Sequence, residues 1–222
     1  MTGKSVFEII GPAMIGPSSS HTAGALRIGR AARLVLGEKP ATAEIVLYGS
    51  FAKTYRGHGT DRALAAGLLG MNTDDDRIKD ALAAASREGL DIVFKTELSG
   101  AVHPNTAAIT LTGVSGRSVS VEGSSVGGGN IVISRVNQFI VNIRGVYPTL
   151  LVEHRDRPGV IGRVTTILGQ RGINIASMNV ARKQKGADNL MVIETDEPVT
   201  EEMQKQVAAA PEVIEIITMN SF

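Results

Sequence analysis

Cysteine and tryptophan are both absent from this 222-residue sequence, and only 4% of its residues are aromatic. Without cysteine the chain can form no disulfide bond, and it offers no thiolate to zinc or to an iron–sulfur cluster. Any function that needs such a cluster therefore requires a second polypeptide. The scarcity of aromatic side chains argues against a stacking platform for single-stranded nucleic acid.

A large excess of one charge is missing as well. The sequence has 23 basic and 22 acidic residues, so it lacks the electrostatic footprint of a protein that binds nucleic acid or a membrane surface. No apolar run approaches the roughly 20 residues of a transmembrane helix. The N-terminal stretch contains Glu8 and ends at Gly11-Pro12, which is too short and too acidic for a signal peptide. We therefore expect a cytoplasmic protein without nucleic-acid or membrane partners.

Residues 1–143 change from helical patterns to strand patterns along the chain. Helices are predicted over residues 22–36, 60–69 and 73–87, and Gly37, Gly70 and Gly89 are the glycines that can end them. Thr60 or Asp61 is expected to cap the second helix, and Asp74 to Asp76 favour the N-terminal end of the third. Alternating apolar residues predict strands over residues 44–50, 92–97, 107–112, 118–122, 131–134 and 139–143. Helices early and strands late indicate an α+β domain.

A short linker over residues 144–148 precedes a second pattern over residues 149–222. The predicted strands cover residues 150–153, 173–180, 190–195 and 213–218. The first helix carries an apolar stripe made of Val160, Ile161, Val164, Ile167 and Leu168. Thr200 is expected to cap the second helix, with Glu201 and Glu202 in its first turn. The order βαββαβ is that of a ferredoxin-like domain.

Four polar, glycine-rich clusters stand out in the first domain. They are Gly16-Pro17-Ser18-Ser19-Ser20-His21-Thr22-Ala23-Gly24, Gly57-His58-Gly59-Thr60-Asp61, His103-Pro104-Asn105-Thr106 and Ser124-Ser125-Val126-Gly127-Gly128-Gly129-Asn130. The first two precede helices, so hydroxyls and backbone N–H groups can converge on an anion there. The fourth is predicted to be a flexible loop that accommodates an anion. None is a P-loop, a dinucleotide fingerprint or a hydrolase elbow, and each taken singly also fits a helix cap or a turn.

Taken together, the four clusters resemble the β portion of iron–sulfur L-serine dehydratases. The resemblance also includes residues 5–12 and Tyr48-Gly49-Ser50-Phe51, and it spans essentially the whole chain. In two-gene bacterial members of this family, the β portion is a separate chain with an attached ACT domain, which fits the absence of cysteine. The resemblance implies a lyase, L-serine ammonia-lyase, that is active only with an α subunit carrying a [4Fe–4S] cluster. No metal ligand is then expected in this chain.

The same resemblance implies a mechanism. An open iron of the α subunit acts as a Lewis acid on the serine hydroxyl, and a base removes the α-proton. The aminoacrylate product tautomerises to an imine, which hydrolyses to pyruvate and ammonia. His58 is the best candidate for the base, Asp61 either orients it or caps the helix, and some relatives carry a second histidine where this chain has Gly59. The residues implied to hold L-serine are Ser18, Ser19, Ser20, His21, Thr22, Gly59, Thr60, Asn105, Gly127, Gly128 and Gly129.

The stretch Glu153-His154-Arg155-Asp156-Arg157-Pro158-Gly159-Val160-Ile161-Gly162, with Gly172-Ile173-Asn174-Ile175, resembles the opening of an ACT domain. Such modules usually pair with a second copy and bind an amino acid beside the first helix, whose N–H groups suit a carboxylate. The serine-sensing ACT domain of phosphoglycerate dehydrogenase is similar at His154, Asp156 and Asn174, although Asp156 replaces an asparagine. Gly159 and Val160 would complete an effector site. The same residues also fit a purely structural module that self-associates.

Two other functions fit the sequence. The first domain is similar to the allosteric substrate-binding domain of some phosphoglycerate dehydrogenases, so the chain could be a non-catalytic regulatory subunit that binds an amino-acid or anionic effector. A free-standing amino-acid sensor is the third hypothesis. Substitution of His58 discriminates between the first two, because a catalytic base affects kcat and an effector site affects cooperativity.

Overall fold

The chain contains two β-sheets. A computed structural model describes residues 13–100, 103–182, 184 and 186–221. The chain divides into two compact units between Asn137 and Gln138. Both units combine helices with a sheet, so the predicted α+β class is confirmed. No helix in the described part of the chain is long and apolar enough to cross a bilayer.

The first sheet has the strand order β2-β1-β3-β4-β5-β6, and β1 is parallel to β2 but antiparallel to β3. Its strands are β1 (Pro40–Tyr48), β2 (Asp91–Glu97), β3 (Thr106–Gly113), β4 (Ser118–Gly127), β5 (Asn130–Val136) and β6 (Phe139–Ile143). The helical elements are a π-helical turn (Ser19–Gly24), α1 (Ala25–Leu36), α2 (Gly49–Thr54), α3 (Thr60–Leu68), a 3₁₀ helix (Asp76–Asp80) and α4 (Ala81–Arg87).

Helix α1 lies on the sheet against β3 and β4, and α3 packs closely on α1. Two glycines make this approach possible. A Cβ on Gly67 would lie 2.1 Å from the carbonyl oxygen of Leu26, and one on Gly29 would lie 2.5 Å from that of Leu64. The helix pair is therefore packed backbone against backbone, above a core of buried aliphatic side chains such as Ile28.

Several predicted helices differ from those in the structure. Helix α1 ends at Gly37, as predicted, because this glycine adopts φ 75°. The predicted helix over residues 73–87 is wrong in its first half, because the Asp75 side chain accepts a hydrogen bond from the Arg77 N–H and starts a 3₁₀ helix instead. Gly49 and Ser50 were predicted to end a strand but begin α2, because Gly49 turns the chain with φ 53°.

Two further corrections concern residues of the polar clusters. Thr60 and Asp61 do not cap α3, because Gly59 is the N-cap residue, with φ 69° and no side-chain cap bond. Strand β4 continues to Gly127, so most of the predicted flexible loop over residues 124–130 is strand, and Gly128 and Gly129 alone join β4 to β5.

The second sheet has the order β10-β7-β9-β8, with all neighbours antiparallel. The elements from residue 149 onwards, which form this sheet and its helices, are β7 (Thr149–Arg155), α5 (Val160–Gln170), β8 (Ile175–Arg182), β9 (Asp188–Thr195), α6 (Glu201–Ala208) and β10 (Val213–Met219). The predicted βαββαβ order is confirmed, and so is the cap of α6, where the Thr200 side chain accepts from Met203 N–H. The predicted apolar stripe of α5 is wrong at Ile161, because this residue is 45% exposed and does not face the core.

The close approach of α1 and α3 generates a stability prediction. We expect Gly67→Ala to lower the free energy of unfolding by about 1–3 kcal/mol, because the added methyl group overpacks a backbone contact. Gly162→Ala is the matched control, since Gly162 is also helical but faces open space. That control should raise stability by about 0.4–1 kcal/mol. Urea unfolding followed by circular dichroism measures both, and equal effects would contradict the packing argument.

Candidate functional site

The serine-rich cluster forms the π-helical turn that leads into α1. Ser18 starts this turn, because its Oγ accepts the His21 N–H at 3.2 Å and its carbonyl accepts the Thr22 N–H at 2.8 Å. At the other end of the turn, a Cβ on Gly24 would lie only 2.1 Å from Oγ of Ser125. Glycine therefore lets the turn lie directly on β4.

The His21 ring lies between two hydroxyl groups. Its Nε2 is 3.1 Å from Oγ of Ser50, and its Nδ1 is 3.4 Å from Oγ of Ser18. The Phe51 ring covers one side at 5.3 Å. Ser50 is itself held in place, because its N–H donates to the carbonyl oxygen of Pro104 at 2.7 Å. These contacts fix the orientation of His21 from both of its nitrogens.

His58 lies beside His21 at the loop before α3. The two ring centroids are 4.8 Å apart and the rings are nearly perpendicular, at 88°. The His58 backbone is anchored, because its N–H donates to Thr54 and its carbonyl accepts from Oγ1 of Thr22 at 3.3 Å. Its ring is exposed and makes no hydrogen bond with the described residues. Burial, followed by the neighbouring His58, lowers the pKa of His21.

The third and fourth clusters meet beside the same turn. The N–H of Asn105 donates to Nδ1 of His103 at 3.1 Å, and its carbonyl accepts the Ser125 N–H at 2.9 Å. Oδ1 of Asn105 and Oγ of Ser125 are both buried, and neither has a hydrogen-bond partner among the described residues. Buried polar atoms normally have a partner, so both oxygens are unsatisfied within the described residues, and that of Ser125 lies against Gly24 of the serine-rich turn.

The glycines of the fourth cluster turn the chain from β4 to β5. Gly127, Gly128 and Gly129 all have positive φ, at 105°, 61° and 79°. The carbonyl oxygen of Gly129 accepts from Nη1 of Arg27 at 2.9 Å, so the turn is tied to α1. A Cβ on Gly127 would meet no atom within 4 Å, which shows open space at the end of β4.

Three predicted site residues have other surroundings than expected. Asp61 is 8% exposed, its Oδ1 accepts the Arg62 N–H at 2.8 Å, and no hydrogen bond joins it to His58. Its predicted role in orienting His58 therefore has no direct contact in this structure. The side chains of Thr22 and Thr60 are buried, with exposures of 2% and 0%, and so cannot reach a substrate without a rearrangement. Thr22 instead supports the His58 backbone.

Sequence reasoning missed three residues that shape the site. Ser50 holds His21, Ser125 carries the buried unpartnered hydroxyl, and Arg27 supports the glycine turn. Ser50 and Ser125 stand inside the motifs that carried the resemblance, but a motif does not tell which hydroxyl faces which ring. Arg27 resembles any basic residue of an amphipathic helix, and no local signal separates it from Arg30 or Arg33.

The predicted effector residues of the second unit do not lie together. His154 is opposite Asn189 on β9, and Asn189 is opposite Arg182 at the end of β8. Asn174 precedes the start of β8, and its Nδ2 donates to the Asp196 carboxylate at 2.6 Å. At about 3.3 Å per residue, the whole length of β8 separates Asn174 from His154. Within one copy of this unit the predicted effector residues are therefore at opposite ends of the sheet, and their role in binding an effector stays a prediction.

His154 and Asp156 lie at the end of the sheet where α5 begins. His154 is 2% exposed, its Nδ1 is 2.9 Å from the carbonyl oxygen of Arg155, and its Nε2 has no partner among the described residues. Asp156 accepts the Gly186 N–H at 2.9 Å and forms an ion pair with Arg182, and these bonds lower its pKa. Gly159 is the N-cap residue of α5, with φ 88°, and Val160 is buried.

Comparison with known proteins identifies the first unit. The model of the family described as serine dehydratase beta chain matches residues 5–135. This chain belongs to the serine dehydratase beta chain family. The match includes all four polar clusters, as well as residues 5–12, which lie outside the described residues. The model of the ACT domain matches residues 148–212, so the resemblance of the second unit is confirmed too.

Full-length relatives support the same family. The chain is 46% identical over 216 residues to a "Probable L-serine dehydratase, beta chain" of Bacillus subtilis (strain 168). The aligned residues cover 97% of this chain and 98% of the relative. It is 40% identical over 208 residues to an "L-serine dehydratase, beta chain" of Peptoniphilus asaccharolyticus, and the aligned residues cover 93% of this chain and 94% of that relative. The D-3-phosphoglycerate dehydrogenase of Methanocaldococcus jannaschii is 41% identical over 70 residues, which cover 32% of this chain and 13% of the relative.

The histidine pair generates a prediction about titration. The pKa of His21 should lie below its usual value of 6.5, and His58→Ala should raise it without restoring that value, because burial remains. Arg56→Ala is the control, since this exposed cation is not a cause of the shift and should leave the pKa of His21 unchanged. The sequence has only four histidines, so imidazole NMR resolves the titration.

The depressed pKa also fixes the sign of a stability effect. Because the folded chain binds the His21 proton less tightly than the unfolded chain, this ring's contribution to stability is full above pH 6.5 and is lost as the pH falls through the folded pKa. A His21 pKa above 6.5 in the wild-type chain would contradict the argument from burial.

Proposed function

We propose that this chain is the β subunit of an L-serine ammonia-lyase, which deaminates L-serine to pyruvate and ammonia together with an α subunit. The observation that carries the proposal is the pair His21 and His58, at 4.8 Å between ring centroids and surrounded by serine hydroxyls, in a chain of this family. An exposed imidazole beside a polar turn has the chemistry to move a proton near neutral pH.

The residues of this chain do not fit an iron–sulfur cluster. The sequence contains no cysteine, and no group of three or more histidine, aspartate or glutamate side chains in the described residues could hold a metal ion. The proposal therefore assigns the [4Fe–4S] cluster to the α subunit, where it would make the serine hydroxyl a better leaving group. The β chain contributes binding and proton transfer alone.

His58 is the proposed base for the α-proton. Its ring is exposed and makes no hydrogen bond within the described residues, so its ring nitrogens are accessible to a substrate. His21 helps by being neutral: burial and two hydroxyl contacts hold it in place, and its lowered pKa keeps it uncharged at neutral pH. A proton that arrives on His58 is then not opposed by a second cation 4.8 Å away.

The serine-rich turn is the proposed platform for L-serine. Ser18 already accepts hydrogen bonds from the N–H groups of His21 and Thr22. The hydroxyls of the half-buried residues Ser19 and Ser20 are therefore the ones of this turn that we assign to substrate binding. Asn105 and the Gly127 to Gly129 turn stay proposed contacts from the other side. The space beside Gly59 is open, because a Cβ there would meet no atom within 4 Å, so a substrate can approach the loop that carries His58. Glycine also suits this position because its φ is 69°, which would strain any other residue.

Co-expression with the α subunit tests the function and the base together. The α and β chains should jointly form pyruvate from L-serine, and the β chain reconstituted with iron and sulfide should form none. In His58→Ala, kcat should fall by about 10²–10⁴, as is typical for a lost general base, with unchanged cluster content. The acid limb of the kcat/KM profile should disappear with the ring, because imidazolium cannot accept a proton.

His21→Ala is the comparison that tests the assignment of the base. α-Deuterated serine reports proton abstraction in each variant. If His21→Ala abolishes turnover while His58→Ala keeps its kcat and acid limb, the assignment is wrong. If His58→Ala keeps kcat and changes cooperativity instead, the chain is a regulatory subunit.

For the second unit we propose an amino-acid effector site shared between two copies of the ACT module. His154 and Asp156 lie at one end of the sheet and Asn174 at the other, so one ligand can touch all three only if a second copy is placed antiparallel to the first. The N–H groups at the start of α5 suit the effector carboxylate. Asp156 would have to exchange its bond with Arg182 for the effector's amino group.

Calorimetry and light scattering test this arrangement on the assembled enzyme. L-Serine should bind in the presence of an inactive His58→Ala site, and Asn174→Ala should weaken that binding at least tenfold. Asn179→Ala is the matched control, because Asn179 is an exposed asparagine on the same strand. Assemblies with one copy of this chain, or unaltered binding in Asn174→Ala, would contradict a shared site.

A further inference from the structure

Arg27 is a half-buried cation without a counter-ion among the described residues. It lies on α1, and its only hydrogen bond to a described residue is from Nη1 to the carbonyl oxygen of Gly129, at 2.9 Å. No carboxylate contributes to its titration: burial, and then the charge of Arg30, lower the pKa of Arg27. Partly buried charges are normally paired, because an unpaired one loses its hydration without compensation.

A second, independent feature lies on the same side of the helix. Gly24 is three residues before Arg27, so both face the same way on the helical segment. Gly24 is in contact with Ser125, whose side chain is fully buried and whose Oγ has no partner among the described residues. This hydroxyl needs a partner that the described residues do not supply, such as a water molecule or a ligand that enters from the open end of β4.

The geometry leaves room for that ligand. Arg27 uses one of its five N–H donors on Gly129, which orients the planar guanidinium and leaves donors for a bidentate contact. The end of β4 is open at Gly127, where a Cβ would meet no atom within 4 Å. An oriented guanidinium beside an open glycine turn matches a carboxylate better than a neutral group.

We propose that Arg27 binds the carboxylate of the amino-acid substrate and selects against substrates that lack this charge. The inference rests on the proposed function in one respect, namely that L-serine is the substrate. The carboxylate stays charged through the whole reaction. Arg27 therefore contributes to binding in the ground state and the transition state alike, and its loss should raise KM more than it lowers kcat.

A comparison of charged and neutral substrates separates this role from support of the glycine turn. In the assembled enzyme with Arg27→Gln, kcat/KM for L-serine should fall by about 10- to 150-fold, the range for a hydrogen bond to a charged group. The value for L-serinamide, which keeps the hydroxyl and the α-proton, should change little. If Arg27 only positions the Gly129 carbonyl, both substrates lose the same factor, and that result overturns the inference.

Arg33→Gln is the matched control. Arg33 is a half-buried arginine on the same helix, and its Nη1 likewise donates to a carbonyl oxygen, that of Leu68, at 2.8 Å. This variant should leave the ratio of the two kcat/KM values unchanged. Arg27→Lys should recover part of the preference for the charged substrate, because it restores the charge but not the planar fork.

Binding without turnover separates this inference from the proposed function. Calorimetry should show that the wild-type enzyme binds 3-hydroxypropanoate more tightly than 3-hydroxypropanamide, and that Arg27→Gln removes the difference. If the wild-type enzyme does not turn over L-serine but this difference depends on Arg27, the proposed function fails and the anion site stands. If serine is turned over and the two ligands bind equally well to the wild-type enzyme, the function stands and the anion site fails.

Discussion

The contact between Gly24 and Ser125 is the constraint on which the site depends. Because a Cβ on Gly24 would come within 2.1 Å of the Ser125 hydroxyl, only glycine lets the serine-rich turn lie directly on β4. The polar turn that contains Pro104 and Asn105 then completes the arrangement. Pro104 accepts the Ser50 N–H and Asn105 accepts the Ser125 N–H, so four clusters that are far apart in sequence surround one helix start.

The two histidines illustrate how the environment separates identical side chains. His21 is half-buried, contacts a hydroxyl with each ring nitrogen and has a lowered pKa. His58 is exposed, and only its backbone is anchored. The fold thus provides one fixed, half-buried ring and one exposed ring, and such a difference in surroundings is how neighbouring titratable groups acquire different roles in acid–base chemistry.

Local signals predicted the parts of the fold that local physics decides. Gly37 ends α1 and Thr200 caps α6 because a left-handed glycine and a capping hydroxyl act within a few residues. The same rules failed for α2, because Gly49 begins a helix where the apolar alternation still suggested a strand. In that case the Pro104 carbonyl, distant in sequence, accepts the N–H groups that start the helix.

The sequence by itself determined the family, the two-domain α+β pattern and the residue types of the site, and its lack of cysteine excluded thiolate ligation by this chain. Only the tertiary structure decided which of these residues meet. It put Ser50 on His21, left Asp61 without a hydrogen bond to His58, buried Thr60 and placed His154 and Asn174 at opposite ends of a sheet. Motifs specify chemistry within a few residues, whereas these contacts follow from strand register and helix packing, which the whole chain sets together.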